Sequence, residues 1–499
     1  MNRAAAHTLQ PALVLLVCAG VYWVGLGWSG LAYTEGHRAI PGWELLGRDL
    51  GPRNLLVTTL FDQPYLRKPP LMSWAIAAVS SVLGPTEFAA RSVSALAVTL
   101  GALASWWFAA RWFGRARALP AGLAHALTPL FWQSGRAAEI EALHNFFVQL
   151  AVLSAIDLFV RRPGDRVERW AFGCCVAMAT FAAAWTKGPA AAPVFAAAAL
   201  AIALATRPRV FVAAFLLFGL PAGVAGMSWR ATLDLASSSG VTPVTQGVAE
   251  FLWSADRVGQ ILALPVVAWA SALPLAAALL FPFGPDARRE PRDDRERLAL
   301  TLARALAFTT LAALLAYAAL GVGNPRYAMP AFASASPLAA WVLAGRADFF
   351  TPLRRRIATI ILLGRPACML VLLLLAAAVY LPLFERSRDR NSGREAGISV
   401  GSSLPAGAAL HADALIDARP EILWYALRAN PTLRIRWTPS WNPPPTGLVA
   451  ILRTGGRDEF PAVFPDAASA PPPLGTWQVA RYTFEVRSAL PEAERGSPF

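Results

Sequence analysis

Only two of the chain's 45 basic residues are lysines, Lys68 and Lys187, so arginine supplies almost every other cation. Both lysines stand beside prolines, in R-K-P-P (Arg67–Pro70) and T-K-G-P (Thr186–Pro189). An ammonium is a compact point charge able to meet a phosphate oxygen; snorkelling of a long side chain from a helix end is the competing reading. A second signal is a carboxylate with no local partner. In E-I-E-A-L-H-N (Glu139–Asn145), helical spacing puts Glu141, His144 and Asn145 on one face. Glu139 can pair with Arg136 three residues earlier, whereas Glu141 has no neighbouring cation in sequence. A carboxylate near membrane depth is a functional candidate by default. Thr34 and Glu35 open the run T-E-G-H-R-A, which reads either as a capped helix start or as a reactive loop. Arg91, after E-F-A-A, and Arg326, in G-N-P-R-Y, bring cations from two further regions.

These residues must be positioned by helices in lipid. Of 499 residues, 56% are apolar and 15% charged, against roughly a quarter charged in a soluble domain. The ruler of about 20 apolar residues per crossing gives about eleven spans, near 11–32, 88–110, 118–134, 141–160, 170–186, 189–206, 209–227, 258–282, 299–322, 327–345 and 358–383. The stretch 71–83 is too short to cross and reads as a re-entrant or interfacial helix. With a cytoplasmic N-terminus, the five inside loops 111–117, 161–169, 207–209, 285–298 and 346–357 hold 18 arginines, as inside loops do. The formal charge of +14 is thereby spread over short loops, which argues for membrane topology and against nucleic acid. The loop 33–71 then faces outward, and so does the tail.

The membrane domain covers residues 1–385. Residues 386–499 read as a small extracytoplasmic α/β domain, with strands at Leu433–Trp437, Leu448–Leu452 and Trp477–Val486 and a helix at Pro420–Arg428. The four cysteines lie in apolar stretches without C-x-x-C spacing, and no dense His, Cys or acidic group has ligand spacing, so no metal or other cofactor is expected.

Six segments, in order, resemble the polyprenyl-phosphate-dependent branch of the GT-C glycosyltransferases, which includes the aminoarabinose transferases and, more distantly, the protein O-mannosyltransferases. They are T-E-G-H-R-A, Y-L-R-K-P-P-L-M-S-W, E-F-A-A-R-S, E-I-E-A-L-H-N-F-F, T-K-G-P and P-R-Y-A-M-P-A, spread over roughly the first 340 residues. The resemblance implies an all-α polytopic GT-C fold and an inverting transfer at the outer membrane face. The donor would be a sugar on a polyprenyl phosphate, and the acceptor a lipid or a protein, with membrane lipids around the chain. Lys68, helped by Arg67, Lys187, Arg326 and Arg91, would hold the donor phosphate. Glu35 would be the first choice and Glu141 the second for the carboxylate that orients and deprotonates the acceptor. His37, Tyr65, His144, Asn145 and Tyr327 would contact acceptor or sugar. The chain departs from the family pattern at Thr34, where the family has its expected catalytic Asp, at Glu141, where an Asp is usual, and at Arg67, where Glu precedes the lysine. The rival readings are a non-catalytic relative that binds lipid-linked sugar, which Thr34 favours, and a transporter. Against a transporter stand the lack of an internal repeat and the gathering of unusual polar residues at one face.

Overall fold

The computed structural model describes residues 9–115, 118–237, 266–272, 275–283, 291, 293–320, 324–345, 383–412, 419–436, 448–454, 473–479 and 482–488. The chain divides into two compact units. One comprises Met1–Val24, Leu66–Met72 and Arg91–Ala378; the other comprises Gly25–Tyr65, Ser73–Ala90 and Val379–Phe499.

The fold is mostly helical. Helix α1 (Gln10–Cys18) runs on through a wider turn, Ala19–Trp23, and stops where Val24 turns extended before the glycine-rich G-L-G-W-S-G. It is therefore shorter than the expected span 11–32. Next in the chain come α2 (Gly36–Glu44), α3 (Pro52–Leu56), α4 (Leu71–Leu83), α5 (Glu87–Phe113), α6 (Leu119–Leu127), α7 (Pro129–Gly135), α8 (Ile140–Ile156), α9 (Arg166–Lys187), α10 (Ala192–Ala205), α11 (Val210–Ser237) and α12 (Asp294–Ala319). Helices α13 (Met329–Ala335), α14 (Leu338–Gly345), α15 (Arg394–Ser403) and α16 (Pro420–Ala429) complete the described set that concerns the site.

Among the described residues, five helical stretches are long and apolar enough to cross a membrane: Glu87–Phe113, Ile140–Arg161, Arg166–Ala205, Val210–Ala236 and Asp294–Ala319. They coincide with expected spans near 88–110, 141–160, 209–227 and 299–322, and the stretch Arg166–Ala205 takes in the two expected spans 170–186 and 189–206, which meet at the tight turn Gly188–Ala191. Two other expected spans are broken by proline, which removes a backbone donor and clashes with the preceding turn. The span 118–134 parts at Thr128–Pro129 into α6 and α7, and 327–345 parts at Ser336–Pro337 into α13 and α14. Residues 258–265 and 273–274 of the expected span 258–282, and all of 358–383 except Leu383, lie outside the described residues. Helix α4 has 13 residues and is about 20 Å long at the usual rise, short of a bilayer core.

Within the first unit, α8 packs on α9 and α13, while α10 packs on α12 and α11. Each of α8 and α9 has a charged group at either end. At the far end, Asp157 accepts from Arg111 Nε at 2.7 Å, Arg161 Nη1 at 3.1 Å and Trp112 Nε1 at 2.8 Å, and Arg111 also pairs with Glu168. Asp157 and Glu141, the acid at the near end of α8, are about 24 Å apart along the axis at about 1.5 Å per residue.

In the second unit, strands β1 (Thr59–Leu60) and β2 (Gln63–Pro64) form a hairpin whose turn residues, Phe61 and Asp62, both have positive φ. Glu44, at the end of α2, accepts from Phe61 N at 2.6 Å and anchors that turn. The C-terminal part carries a five-stranded sheet of order β4-β3-β5-β7-β6: β3 (Ala409–His411) parallel to β4 (Arg434–Arg436) and to β5 (Leu448–Thr454), with β7 (Tyr482–Ser488) antiparallel to β5 and β6 (Gly475–Val479). The single strand expected over Trp477–Val486 is thus two antiparallel strands; the sequence V-A-R-Y between them has none of the Gly or Asn residues that mark turns. Helix α16 starts at the expected Pro420. It crosses α15 closely because Gly393, Gly397 and Gly401 face it; a Cβ at Gly397 would lie 2.3 Å from the Ile422 carbonyl oxygen.

Candidate functional site

Glu141 lies in the first turn of α8, where the positive end of the helix dipole favours a carboxylate, and Lys187 is the last residue of α9, where the negative end favours a cation. The two meet. Lys187 Nζ donates to Glu141 Oε1 at 3.1 Å, and both side chains are almost wholly buried, at 5% and 4% exposure. Arg326 joins from the turn Pro325–Ala328, with Nε 3.6 Å from the same oxygen. Asn324 shapes that turn by accepting from Arg326 N at 3.1 Å. Tyr327 supplies an aromatic wall, its ring centroid 4.1 Å from Lys187 Nζ and 5.7 Å from the Arg326 guanidinium. Lys187, Arg326 and Glu141 together carry one net positive charge, and Glu139 is a second acid whose charge acts on Arg326. The cluster is closed around Lys187 and opens along Arg326, whose side chain is 41% exposed.

The rest of the α8 face is polar and under-used. His144 Nδ1 is 3.1 Å from the Ala183 carbonyl oxygen, so that nitrogen carries the proton and Nε2 is left as an acceptor. His144 Nε2 and both amide atoms of Asn145 are buried without a hydrogen-bond partner among the described residues. Each such atom typically costs about 1–3 kcal/mol. Arg67 and Lys68 are half-buried in the turn that precedes α4, and Arg91 is fully buried near the start of α5; all three belong to this first unit. Among the expected phosphate-binding cations, Lys187 and Arg326 both meet the Glu141 carboxylate.

The remaining sequence-derived residues lie in the second unit. Glu35 is 1% exposed and engaged at both oxygens: Oε2 accepts from Ala32 N at 2.9 Å, and Oε1 pairs with Arg388, from the helical segment 383–390. His37 stacks on Tyr65 with ring centroids 5.6 Å apart. Arg388, Arg419, Glu421 and Tyr425, all C-terminal, were not marked by any sequence motif, yet they surround this loop. No group of three or more His, Cys, Asp or Glu residues suited to a metal ion occurs among the described residues.

Comparison with solved structures decides the fold. The structure of ArnT from Cupriavidus metallidurans bound to undecaprenyl phosphate superposes with a TM-score of 0.64 at 17% identity, over 100% of both chains. The apo form of the same protein gives 0.62 at 17% identity, over 98% of this chain and 99% of that one. This chain has the GT-C glycosyltransferase fold. Residues 67–228, which hold Lys68, Arg91, Glu141 and Lys187, also match the family described as dolichyl-phosphate-mannose-protein mannosyltransferase. No curated protein matches the chain by sequence. In GT-C terms, the Glu141 cluster is formed by the near ends of α8 and α9 and the turn before α13.

Proposed function

We propose that the chain transfers a sugar from a polyprenyl-phosphate donor to a lipid or protein acceptor, with inversion, at the outer face of the membrane. The observation that carries this reading is the single Glu141 carboxylate shared by Lys187 and Arg326. A sugar-linked lipid phosphate bears one negative charge and matches the one net positive charge of Lys187, Arg326 and Glu141 together. On binding, Lys187 and Arg326 pass from Glu141 to the phosphate oxygens, and the released carboxylate turns to the acceptor. The acceptor oxygen or nitrogen attacks the anomeric carbon and the bond from that carbon to the phosphate oxygen breaks. The bonding pair stays on the phosphate, and the acceptor's proton goes to Glu141. The leaving phosphate gains a charge during this step, and preformed cations stabilise such developing charge most effectively. Lys68, Arg67 and Arg91 add to that field, while His144, Asn145 and Tyr327 meet the sugar hydroxyls. This reading gives Glu141 the role of proton acceptor, because the donor phosphate takes over its two cations and frees it, whereas Glu35 stays paired with Ala32 N and Arg388.

The topology that accompanies it has the N-terminus cytoplasmic, about eleven spans, and the loop 33–71 and the α/β region beyond residue 386 extracytoplasmic. The charged ends of α8, about 24 Å apart at about 1.5 Å per residue, suit opposite faces of one bilayer. The test is transfer of radiolabelled sugar from crude polyprenyl-phosphate donors by the full chain in proteoliposomes. Wild type is expected to transfer and Glu141→Gln to retain a trace, since a general base typically contributes about 10²–10⁴-fold. Binding of the donor without transfer by the wild type would instead favour a non-catalytic relative, the reading that Thr34 supports.

A further inference from the structure

The second unit contains a line of contacts that the transfer chemistry does not use. Residues Trp28–Ala32 lead into Glu35, and their polar groups are met in succession from the C-terminal part. Trp28 O accepts from Arg394 Nη1 at 3.2 Å, Ser29 Oγ donates to Glu385 at 2.5 Å, and Gly30 N donates to Asp389 at 2.8 Å. Leu31 N donates to the Tyr425 hydroxyl at 2.8 Å, Leu31 O accepts from Gly393 N at 3.3 Å, and Tyr425 in turn donates to Glu87 at 2.8 Å. Glu35 then pairs with Arg388. Immediately after it, Gly36 lies so close to α16 that a Cβ there would stand 2.9 Å from Glu421 N. Glu421 is completely buried and held by Arg419 Nε at 2.5 Å, while Arg419 Nη2 donates to Asn391 O at 2.6 Å.

An anchoring of this density fixes a backbone. It leaves a carboxylate buried between an N–H donor and a guanidinium, with Glu421 beside it. We propose that Glu35 and Arg388 form a positioning lock through which the C-terminal segment fixes the loop that opens at Tyr33, so that Glu35 acts by holding Thr34 and the His37–Tyr65 stack in place and not by taking a proton. The lock needs complementary partners rather than charge as such. Removing one charge leaves the other buried and unpaired, whereas replacing both with neutral hydrogen-bonding groups removes that penalty.

The experiment compares Glu35→Gln, Arg388→Gln and the double variant, all in the full chain, by amide hydrogen exchange and by sugar transfer. Exchange needs no activity, so it stands apart from the functional reading on which the second measurement rests. Each single variant is expected to speed exchange of the amides of residues 29–40 at least tenfold and to lower kcat about 10²-fold, the scale of an ångström-sized misplacement. The double variant is expected to recover protection and to return kcat to within about tenfold of wild type. A double variant that is folded and protected but as inactive as Glu35→Gln would make Glu35 a proton acceptor and overturn the lock. Unchanged exchange in Arg388→Gln would overturn it as well. Should these variants fold poorly, Tyr425→Phe removes a single hydroxyl from the same line. It is expected to speed exchange at Leu31 and to lower kcat three- to tenfold, roughly the loss of one hydrogen bond, and no change in either measurement would refute the anchoring. If the wild type transfers no sugar while exchange behaves as expected, the functional reading fails and the lock stands.

Discussion

Replacing Lys187 by Met keeps the length of the side chain and deletes its charge. At the observed 3.1 Å from Glu141 Oε1, a unit charge pair is worth about 5 kcal/mol at an effective dielectric of about 20. A phosphate oxygen that takes the carboxylate's place feels the same pull. Binding of the ground state uses most of it, and the part that accelerates the reaction acts on the charge that grows as the phosphate leaves. If about half to two-thirds of a unit charge develops, the ammonium contributes roughly 2.5–3.5 kcal/mol, a loss of about 70- to 400-fold in kcat on its removal, close to the removal of one oxyanion-stabilising donor. Stability falls too, because Glu141 loses the closer cation and keeps Arg326 at 3.6 Å; the drop should stay below the roughly 3–5 kcal/mol of a fully broken buried pair. The assay is sugar transfer in proteoliposomes normalised to the folded fraction, with thermal unfolding in parallel. Lys187→Met combined with Glu141→Leu should regain stability and remain inactive. Turnover of folded Lys187→Met within about threefold of wild type would refute the reasoning and leave Lys187 as a counter-ion for Glu141 alone.

Glu141→Gln should bind a short-chain polyprenyl phosphate more tightly than wild type by calorimetry, since the cations lose their internal partner, while turning over far more slowly; weaker binding would contradict the exchange of partners. Lys68→Ala should reduce transfer much more than Arg115→Ala, a loop arginine expected on the cytoplasmic side, and equal effects would remove Lys68 from the phosphate site. Burial lifts the Glu421 carboxyl to about 7, with Arg419 opposing and Glu35 adding to the rise. The folded state therefore holds that proton more tightly than the unfolded chain. Its contribution is complete below the ordinary value of 4.5 and is lost as pH rises through about 7. The fall in Tm between pH 5.5 and 7.5 should accordingly be smaller in Glu421→Gln than in wild type, and an unchanged slope would refute the assignment. Gly397→Ala should lower stability by about 1–3 kcal/mol, as overpacking does, because its Cβ would meet the Ile422 carbonyl; a wild-type Tm would count against the close crossing of α15 and α16.

The long uninterrupted spans were legible because twenty apolar residues leave a helix few alternatives in lipid. The interrupted ones were not, although Pro129 and Pro337 carry the signal, because a hydropathy window averages over a single breaker. Scarcity of lysine singled out Lys187, and the lack of a local cation singled out Glu141. Their pairing across 46 residues, with Arg326 further on, depends on how α8 and α9 pack, which residue spacing along one helix does not encode. The reverse holds at Glu35. Its motif is conspicuous, whereas Arg388 is one arginine among several in an unremarkable stretch, so the residue stood out and its partner did not. The break between the strands ending at Val479 and starting at Tyr482 was hidden for a local reason, since the sequence there would equally suit one continuous strand.

A site that carries its own anion is never vacant. Any ligand for Lys187 and Arg326 must displace a tethered carboxylate, which competes at a high effective concentration that dilution cannot lower. Ordinary phospholipid headgroups crowd such a protein at great excess over a scarce isoprenoid carrier, and one phosphate charge alone gives them no advantage over Glu141. For the donor proposed above, selection would then fall to its sugar hydroxyls, met by His144 and Asn145, and to the shape of its tail.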